Sequence, residues 1–299
     1  NKVLKKLFTI IVTVLIPTLA SADVKGQALN KASEKISSTI GKLIPGEGLT
    51  EVDITLKDNA QGNGNYEYSI LGVRDILSKE NTNLFTQFSL HNQEVNGDQR
   101  AIGNLGVGYR FLNSDQSMMF GANTFYDQDL SEKHKRVGFG LEASAAMLDF
   151  NFNEYRKATN VKVISGTAEQ ALSGRDINLT SQIPYMPWAA FNYNSYYFEA
   201  EKAAQDSKGD IYSLEMALNP SLGFDVSKDN SSVNGADDVW SYKLTFTHPP
   251  KNDKPTLLDG MIAPDMFVKQ NMKSKLKDKV RRENNIVIES QGTLIITKG

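Results

Sequence analysis

Asn104-Leu105-Gly106-Val107-Gly108-Tyr109-Arg110-Phe111 decides the fold. Leu105, Val107, Tyr109 and Phe111 alternate with Asn104, Gly106, Gly108 and Arg110. Successive side chains of an extended strand point to opposite faces, so this stretch reads as a strand with one apolar and one polar face. The pattern recurs on both sides. Val52, Ile54 and Leu56 alternate with Asp53, Thr55 and Lys57; Val137, Phe139 and Leu141 alternate with Arg136, Gly138, Gly140 and Glu142. Trp240, Tyr242, Leu244 and Phe246 alternate with Ser241, Lys243, Thr245 and Thr247. Strands are predicted near 51–57, 65–74, 82–92, 100–111, 117–127, 135–146, 148–157, 174–183, 189–199, 210–218, 221–228 and 238–248, twelve in all. Turn-forming residues stand at 96–98, 113–115, 207–210 and 229–231, and Pro184 and Pro187 fall at a link, where a strand needs no ladder donor.

Two architectures suit such strands. In a soluble sandwich the apolar faces pack on each other; in an outer-membrane barrel they face lipid while the polar faces line a lumen. The barrel is favoured by the Gly and charge on the polar faces. It is also favoured by aromatics toward strand ends (Tyr109, Phe111, Phe125, Tyr126, Tyr155, Tyr185, Trp188 and Trp240), which suit interfacial girdles. The expected fold is all-β, a twelve-stranded antiparallel transmembrane β-barrel with a short N-terminal helix and a C-terminal lumen linker.

The flanks complete the organisation. Lys2, Lys5 and Lys6, an apolar run from Leu7 to Ala20, and Ala20-Ser21-Ala22 form the three parts of a secretory signal peptide over residues 1–22. The run is short for a bilayer-spanning helix, which needs roughly 20 apolar residues. The missing initiator Met points to a sequence trimmed at its start. Residues 23–50 read as a periplasmic leader with a helix, since Leu29, Ala32, Ile36, Ile40 and Leu43 recur at helical steps before Pro45-Gly46. The barrel takes 51–248. Residues 249–299 open on the breakers Pro249, Pro250 and Pro255, turn basic through 265–283, and end on two short apolar runs. The basic run has three readings: a linker threading the lumen, a solvated tail, or a patch for anionic lipid or polysaccharide.

Composition excludes several classes. The 299 residues hold 33 Lys+Arg and 35 Asp+Glu, a net charge of −2, so a strongly basic nucleic-acid binder is not expected. Cysteine is absent, which removes disulfides and thiolate chemistry, and the three histidines are scattered, so no metal or other cofactor is expected. Mean hydropathy of −0.38 argues against a helical membrane protein but is compatible with a barrel.

Several ordered motifs resemble the inverse autotransporter β-domain of the intimin/invasin family. They are Gly103 to Arg110, Gly121-Ala122-Asn123-Thr124-Phe125-Tyr126-Asp127, His134 to Glu142, Gly174-Arg175-Asp176, Pro184 to Pro187, and Val280-Arg281-Arg282-Glu283-Asn284-Asn285-Ile286-Val287-Ile288-Glu289. The resemblance covers roughly residues 50–290. It implies a barrel in the bacterial outer membrane, contact with its lipids, help from periplasmic chaperones and the barrel-assembly machinery, and export of a C-terminal adhesive passenger toward a host cell surface. It marks Asn104, Gly106, Gly108, Arg110, Asn123, Asp127, Arg136, Gly138, Gly140 and Glu142 as lumen positions, and Arg282, Asn284, Ile286 and Glu289 as the linker motif. By analogy, residues 249–283 would thread the lumen, their basic face meeting Glu142, Asp127 and Asp149. The Gly-lined lumen would let an extended hairpin slide past without large side chains in its way.

The 51 residues after His248 are too few for an immunoglobulin-like passenger of ~100 residues. A translocator-only member, a partial sequence and a passenger-less remnant all remain open, as does a passive pore or structural barrel without export. Some outer-membrane barrels are enzymes. His91 near Glu94 and Asp98, and His134 near Glu132 and Asp129, are the available candidates, but loop and lumen histidines meet polar neighbours by chance, and Arg110, Asp127, Arg136 and Glu142 suit a lumenal charge network, so no catalytic residue is expected. Asp127-Gln128-Asp129 lacks the Gly and distal Glu of a calcium loop.

Overall fold

The computed structural model describes residues 22–58, 65–290 and 293–295; residues 1–21 of the expected signal peptide lie outside them. Twelve antiparallel strands close into a barrel: β1 (Thr50–Asp58), β2 (Asn65–Ser78), β3 (Thr82–Val95), β4 (Asp98–Leu112), β5 (Met118–Asp129), β6 (Lys135–Ala145), β7 (Leu148–Lys157), β10 (Gly174–Ile183), β11 (Met186–Phe198), β12 (Ser207–Asn219), β13 (Leu222–Ser231) and β14 (Val239–His248). Sequence neighbours pair throughout, except that β7 pairs with β10, and β1 closes the ring on β14 from Thr50↔His248 to Asp58↔Trp240. Among the described residues, closure pairs every barrel strand on both sides, as a lipid environment demands.

The alternation sorts the wall. On β4, Leu105, Val107, Tyr109 and Phe111 are exposed on the outer surface, while Asn104 and Arg110 are buried inside. Phe139 and Leu141 on β6 and Tyr212 and Leu214 on β12 continue the outer apolar belt.

Some expectations need adjustment. The turns expected at 207–210 and 229–231 lie within β12 and β13, which pair out to Gly209↔Ser231. Phe125 and Tyr155 are not girdle residues: both are buried inside the lumen. The lumen is therefore not free of large side chains. The inward glycines make room for them, since a Cβ on Gly108 would stand 2.3 Å from the Phe85 ring and one on Gly106 would stand 2.4 Å from Phe125.

Between β7 and β10 the chain forms a hairpin not expected from the alternation, β8 (Lys162–Ile164) and β9 (Thr167–Ala171). Two strands of the tail, β15 (Ile288–Ser290) and β16 (Thr293–Ile295), join it in a four-stranded sheet of order β16-β15-β9-β8. This sheet stands at the end of the barrel carrying the β3–β4 and β5–β6 turns, called here the far end.

The leader helix α1 (Ala22–Ile40) is shorter than the leader segment, which ends in turns through 41–49. Its Ile36 and Ile40 pack on Val52, Leu222 and Phe246. Val52 and Phe246 are paired neighbours on the outward face, alternating with inward Glu51 and Thr247. The helix thus covers the outside of the β1–β14 seam at the near end. Ser37 Oγ donates to Thr247 O (2.7 Å), and Asn219 Nδ2 donates to Ser33 Oγ (2.8 Å).

Candidate functional site

The lumen and the tail inside it form the site. After His248 the tail follows the near-end rim from turn to turn. Lys251 N donates to Pro220 O, Ala263 N to Tyr185 O and Gln270 N to Ala146 O. A four-residue helix, α2 (Met272–Lys275), then seats Met272 against Leu112 and Met119. From there the chain rises through the barrel to β15 at the far end, where Ile288 pairs with Ala171.

The wall holds the tail chiefly by its backbone. Asn83 Nδ2 donates to Leu276 O (3.0 Å), and Gln87 Oε1 accepts from Val280 N (2.7 Å). The Gln93 amide grips Ile286 twice: Nε2 donates to its O (2.8 Å) and Oε1 accepts from its N (3.0 Å). These three partners all stand 193 positions apart. The tail therefore runs parallel to β3 in one register, joined to it by carboxamide side chains in place of a backbone ladder. From Asn83 to Gln93, at ~3.3 Å per residue, the paired stretch covers roughly the ~30 Å thickness of a hydrocarbon core. Neighbouring strands add Asn104 Nδ2 to Asn284 O (3.0 Å), Asn153 Nδ2 to Arg281 O (3.1 Å), Arg136 Nη2 to Glu283 O (2.7 Å), and Tyr155 OH accepting from Glu283 N (2.7 Å).

Among the tail's side chains, Arg282 is the most deeply enclosed of the cations. Arg282 makes two hydrogen bonds to Asp127 (2.9 and 2.6 Å), and its guanidinium lies 4.2 Å from the Phe125 ring centre and 5.5 Å from that of Tyr155. Arg136 binds the same carboxylate (2.8 Å) and lies 4.1 Å from the Tyr155 ring. A planar guanidinium suits both a carboxylate fork and an aromatic face. Above it, Ile286 is fully buried beside Val95, Ile102 and Ile288. Glu289 accepts from the backbone N–H groups of Glu201 (2.9 Å), Lys202 (2.7 Å) and Ala203.

The remaining candidate residues also lie in the wall. Asn104 bonds Asp127 as well (2.7 Å), and Asn123 donates to Glu142 (2.9 Å). Glu142 does not meet the tail's basic face: it pairs with Arg110 (2.7 Å), whose Nη1 in turn donates to the carbonyls of Lys275, Leu276 and Asp278. Gly138 and Gly140 leave room, since a Cβ would meet Arg282 at 3.2 Å at the first and Asn123 at 2.4 Å at the second. The basic run pairs elsewhere, Lys275 with Asp149 (2.6 Å), Lys279 with Glu51 (2.5 Å) and Arg281 with Glu215 (2.5 Å). Cavities of about 450 and 240 Å³ remain beside the tail, mainly toward β10–β14.

Sequence reasoning missed the β3 carboxamides, although Asn83, Gln87 and Gln93 lie on its inward face; nothing in their spacing announces a backbone partner almost two hundred residues away. His91 faces the tail, Nε2 lying 2.8 Å from Asn285 Oδ1. His134 belongs to a buried far-end cluster in which Arg100 grips Glu169 (2.7 and 2.9 Å) and the His134 ring lies 3.6 Å from the same carboxylate. Burial lowers the His134 pKa below 6.5 against the pull of Asp129 and Glu169. Burial raises the Glu169 pKa, but the Arg100 bonds and charge outweigh it, so the net shift is downward.

Known proteins resemble this chain. An attaching and effacing protein homolog of Escherichia coli (strain K12) is 31% identical over 181 residues, 58% of this chain and 57% of that protein. Invasin of Yersinia enterocolitica is 28% identical over 141 residues, 46% of this chain and 16% of its own length. Intimin of Citrobacter freundii is 25% identical over 281 residues, 89% of this chain and 28% of its own length. The chain thus spans less than two thirds of each of these relatives. A solved structure from a study of in-meso crystallization of membrane proteins shares the fold, with TM-score 0.64, 18% identity, and coverage of 81% of this chain and 100% of that one. The model of the family "Inverse autotransporter, beta-domain" matches residues 16–284. With that match over most of its length, this chain belongs to the inverse autotransporter beta-domain family.

Proposed function

We propose that this chain is an outer-membrane translocator and anchor of the intimin/invasin type. In this reading the signal peptide at 1–22 directs export, and chaperones and the assembly machinery insert the barrel among outer-membrane lipids. The tail then carries whatever follows it to the cell surface, where an adhesive passenger meets a host cell. The near end faces the periplasm and the far end faces outward.

The observation that supports this reading best is the route of the tail, which enters at the near end, is bonded along the wall, and leaves at the far end. The physics asked of the barrel is mechanical: it must solvate an extended chain across lipid and then retain it. The cavities beside the tail favour a second reading, a passive pore. An epitope placed after Gly299, probed on intact cells with antibody and protease, tests the first. Exposure on intact cells is the expected result. An epitope reached only after the outer membrane is opened would overturn the export reading and leave the pore.

A further inference from the structure

We infer that the β3 carboxamides, with their neighbours Asn104 and Asn153, form a backbone-reading track whose substrate class is extended polypeptide of any side-chain sequence. This inference rests on the export reading and specifies how the lumen recognises what it carries.

Four observations support it. First, Asn83, Gln87, Gln93, Asn104 and Asn153 all bond tail peptide groups, not tail side chains. Every residue offers the same carbonyl, and every residue but proline the same N–H, so such partners cannot tell one sequence from another. Second, the shared offset of 193 positions means that the tail matches the rise of β3 residue for residue. A chain advancing by two residues would present equivalent peptide groups to the same amides. Third, the track has capacity to spare: Gln87 Nε2 and Asn83 Oδ1 are buried without hydrogen-bond partners among the described residues. A carboxamide carries both a donor and an acceptor and can serve either peptide group by rotating. Fourth, the sequence-specific grips use other wall groups, carboxylates: Asp127 for Arg282, Glu215 for Arg281, Glu51 for Lys279 and Asp149 for Lys275. The amides support passage of any chain, and the basic residues of the tail, Arg282 foremost, set where passage stops.

The physical need is plain. A peptide group in a narrow lumen loses water and must be repaid with partners. Charged partners would hold chosen side chains and stall the chain, whereas neutral amides bond weakly and exchange readily.

The test uses the full chain in a Gram-negative host, with two unrelated unfolded segments fused in turn after Gly299, one Gly/Ser-rich and one rich in Gln and Thr. Each ends in an epitope, and the rate of epitope arrival on intact cells is measured after a pulse of synthesis. Gln87→Leu with Gln93→Leu keeps side-chain size while removing the hydrogen bonds. The expected result is a several-fold slowing that is alike for both segments. Slowing of only one segment would show side-chain recognition and overturn the track. Unchanged rates, with the tail merely released to protease at a lower temperature, would reduce the amides to clamps of the final state and also overturn it. If neither segment reaches the surface on the unaltered barrel, the export reading itself fails. That result is distinguishable because the control fails together with the variant.

Discussion

Asp127 is the wall residue that receives Arg282 of the tail. It is fully buried, accepts from Arg282, Arg136 and Asn104, and is shared between two guanidinium groups held over aromatic rings. Removing its charge leaves buried cations without a counter-charge, a change of about 3–5 kcal/mol in soluble proteins. Asp127→Asn is expected to free the tail locally, so that trypsin cleaves after Arg281 or Arg282 in the folded barrel, where the native chain resists. Equal resistance would mean that the backbone bonds alone retain the tail. A second residue-scale expectation concerns Gly108. Its absent side chain is the space that the Phe85 ring occupies, and Phe85 in turn lies 4.4 Å beneath the Arg110 guanidinium. Gly108→Ala overpacks this stack and is expected to cost about 1–3 kcal/mol, lowering the temperature at which the barrel loses its compact migration on gels. Gly103→Ala is the control, since its Cβ would meet Leu130 at an ordinary 3.6 Å. The residue scale also shows the limit of pattern reading. Alternation assigns a position to a face, and Asn104, Arg110 and Glu142 follow from it. It does not say that an aromatic on the inward face, such as Tyr155 or Phe125, sits there to stack on an arginine of the tail.

Among elements, the twelve barrel strands are legible because each must hold one apolar face toward lipid, which writes a period of two into the chain. Hairpin β8–β9 is not, because it stands clear of the lipid belt and has no face to keep apolar; Val163 is largely exposed. Its anchorage is partly apolar, through Ala171 buried beside Val95 and Ile102, and partly electrostatic. Arg100 on β4 holds Glu169 on β9, Asn96 donates to both Glu169 and Ser290, and β9 carries the tail strand β15. His134 stands in this cluster facing Asp129, Glu169, Arg100 and Lys162, with its ring nitrogens free of hydrogen bonds among the described residues. Its folded pKa lies below the unfolded 6.5, so the closed cluster binds fewer protons than the opened one. Closure is therefore favoured above pH 6.5 and weakens as pH falls through 6.5 toward the folded value. Glu169, also lowered, acts in the same direction at more acid pH: its contribution is present above its unfolded 4.5 and fades below it. The protection of amides 162–171, exchange being corrected for its intrinsic pH dependence, is expected to fall between pH 7.5 and pH about 5.5, and His134→Gln is expected to abolish most of that dependence. A pH-independent protection in the native chain would show that burial does not keep His134 neutral.

At the scale of the molecule, the tail divides the lumen unevenly. It lies against β3–β7 and leaves two cavities toward β10–β14, one nearer each end. Glu215, Asp225, Lys279 and Arg281 line both. They meet as a charged rung between them, Arg281 with Glu215 at 2.5 Å and Lys243 with Asp225 at 2.9 Å, while Lys279 reaches Glu51 at 2.5 Å. This rung is where the two cavities adjoin. Removing one member of the rung should join the cavities into a path beside a tail that Arg282 and the β3 amides still hold. The unaltered chain in a planar bilayer is expected to pass little current, and Arg281→Gln is expected to raise the conductance while trypsin resistance after Arg282 persists. Conductance that rises only when the tail is also released would place the seal in the tail as a whole. Conductance unchanged by the substitution would mean that the two cavities are closed from each other by the backbone of the tail, not by its charges.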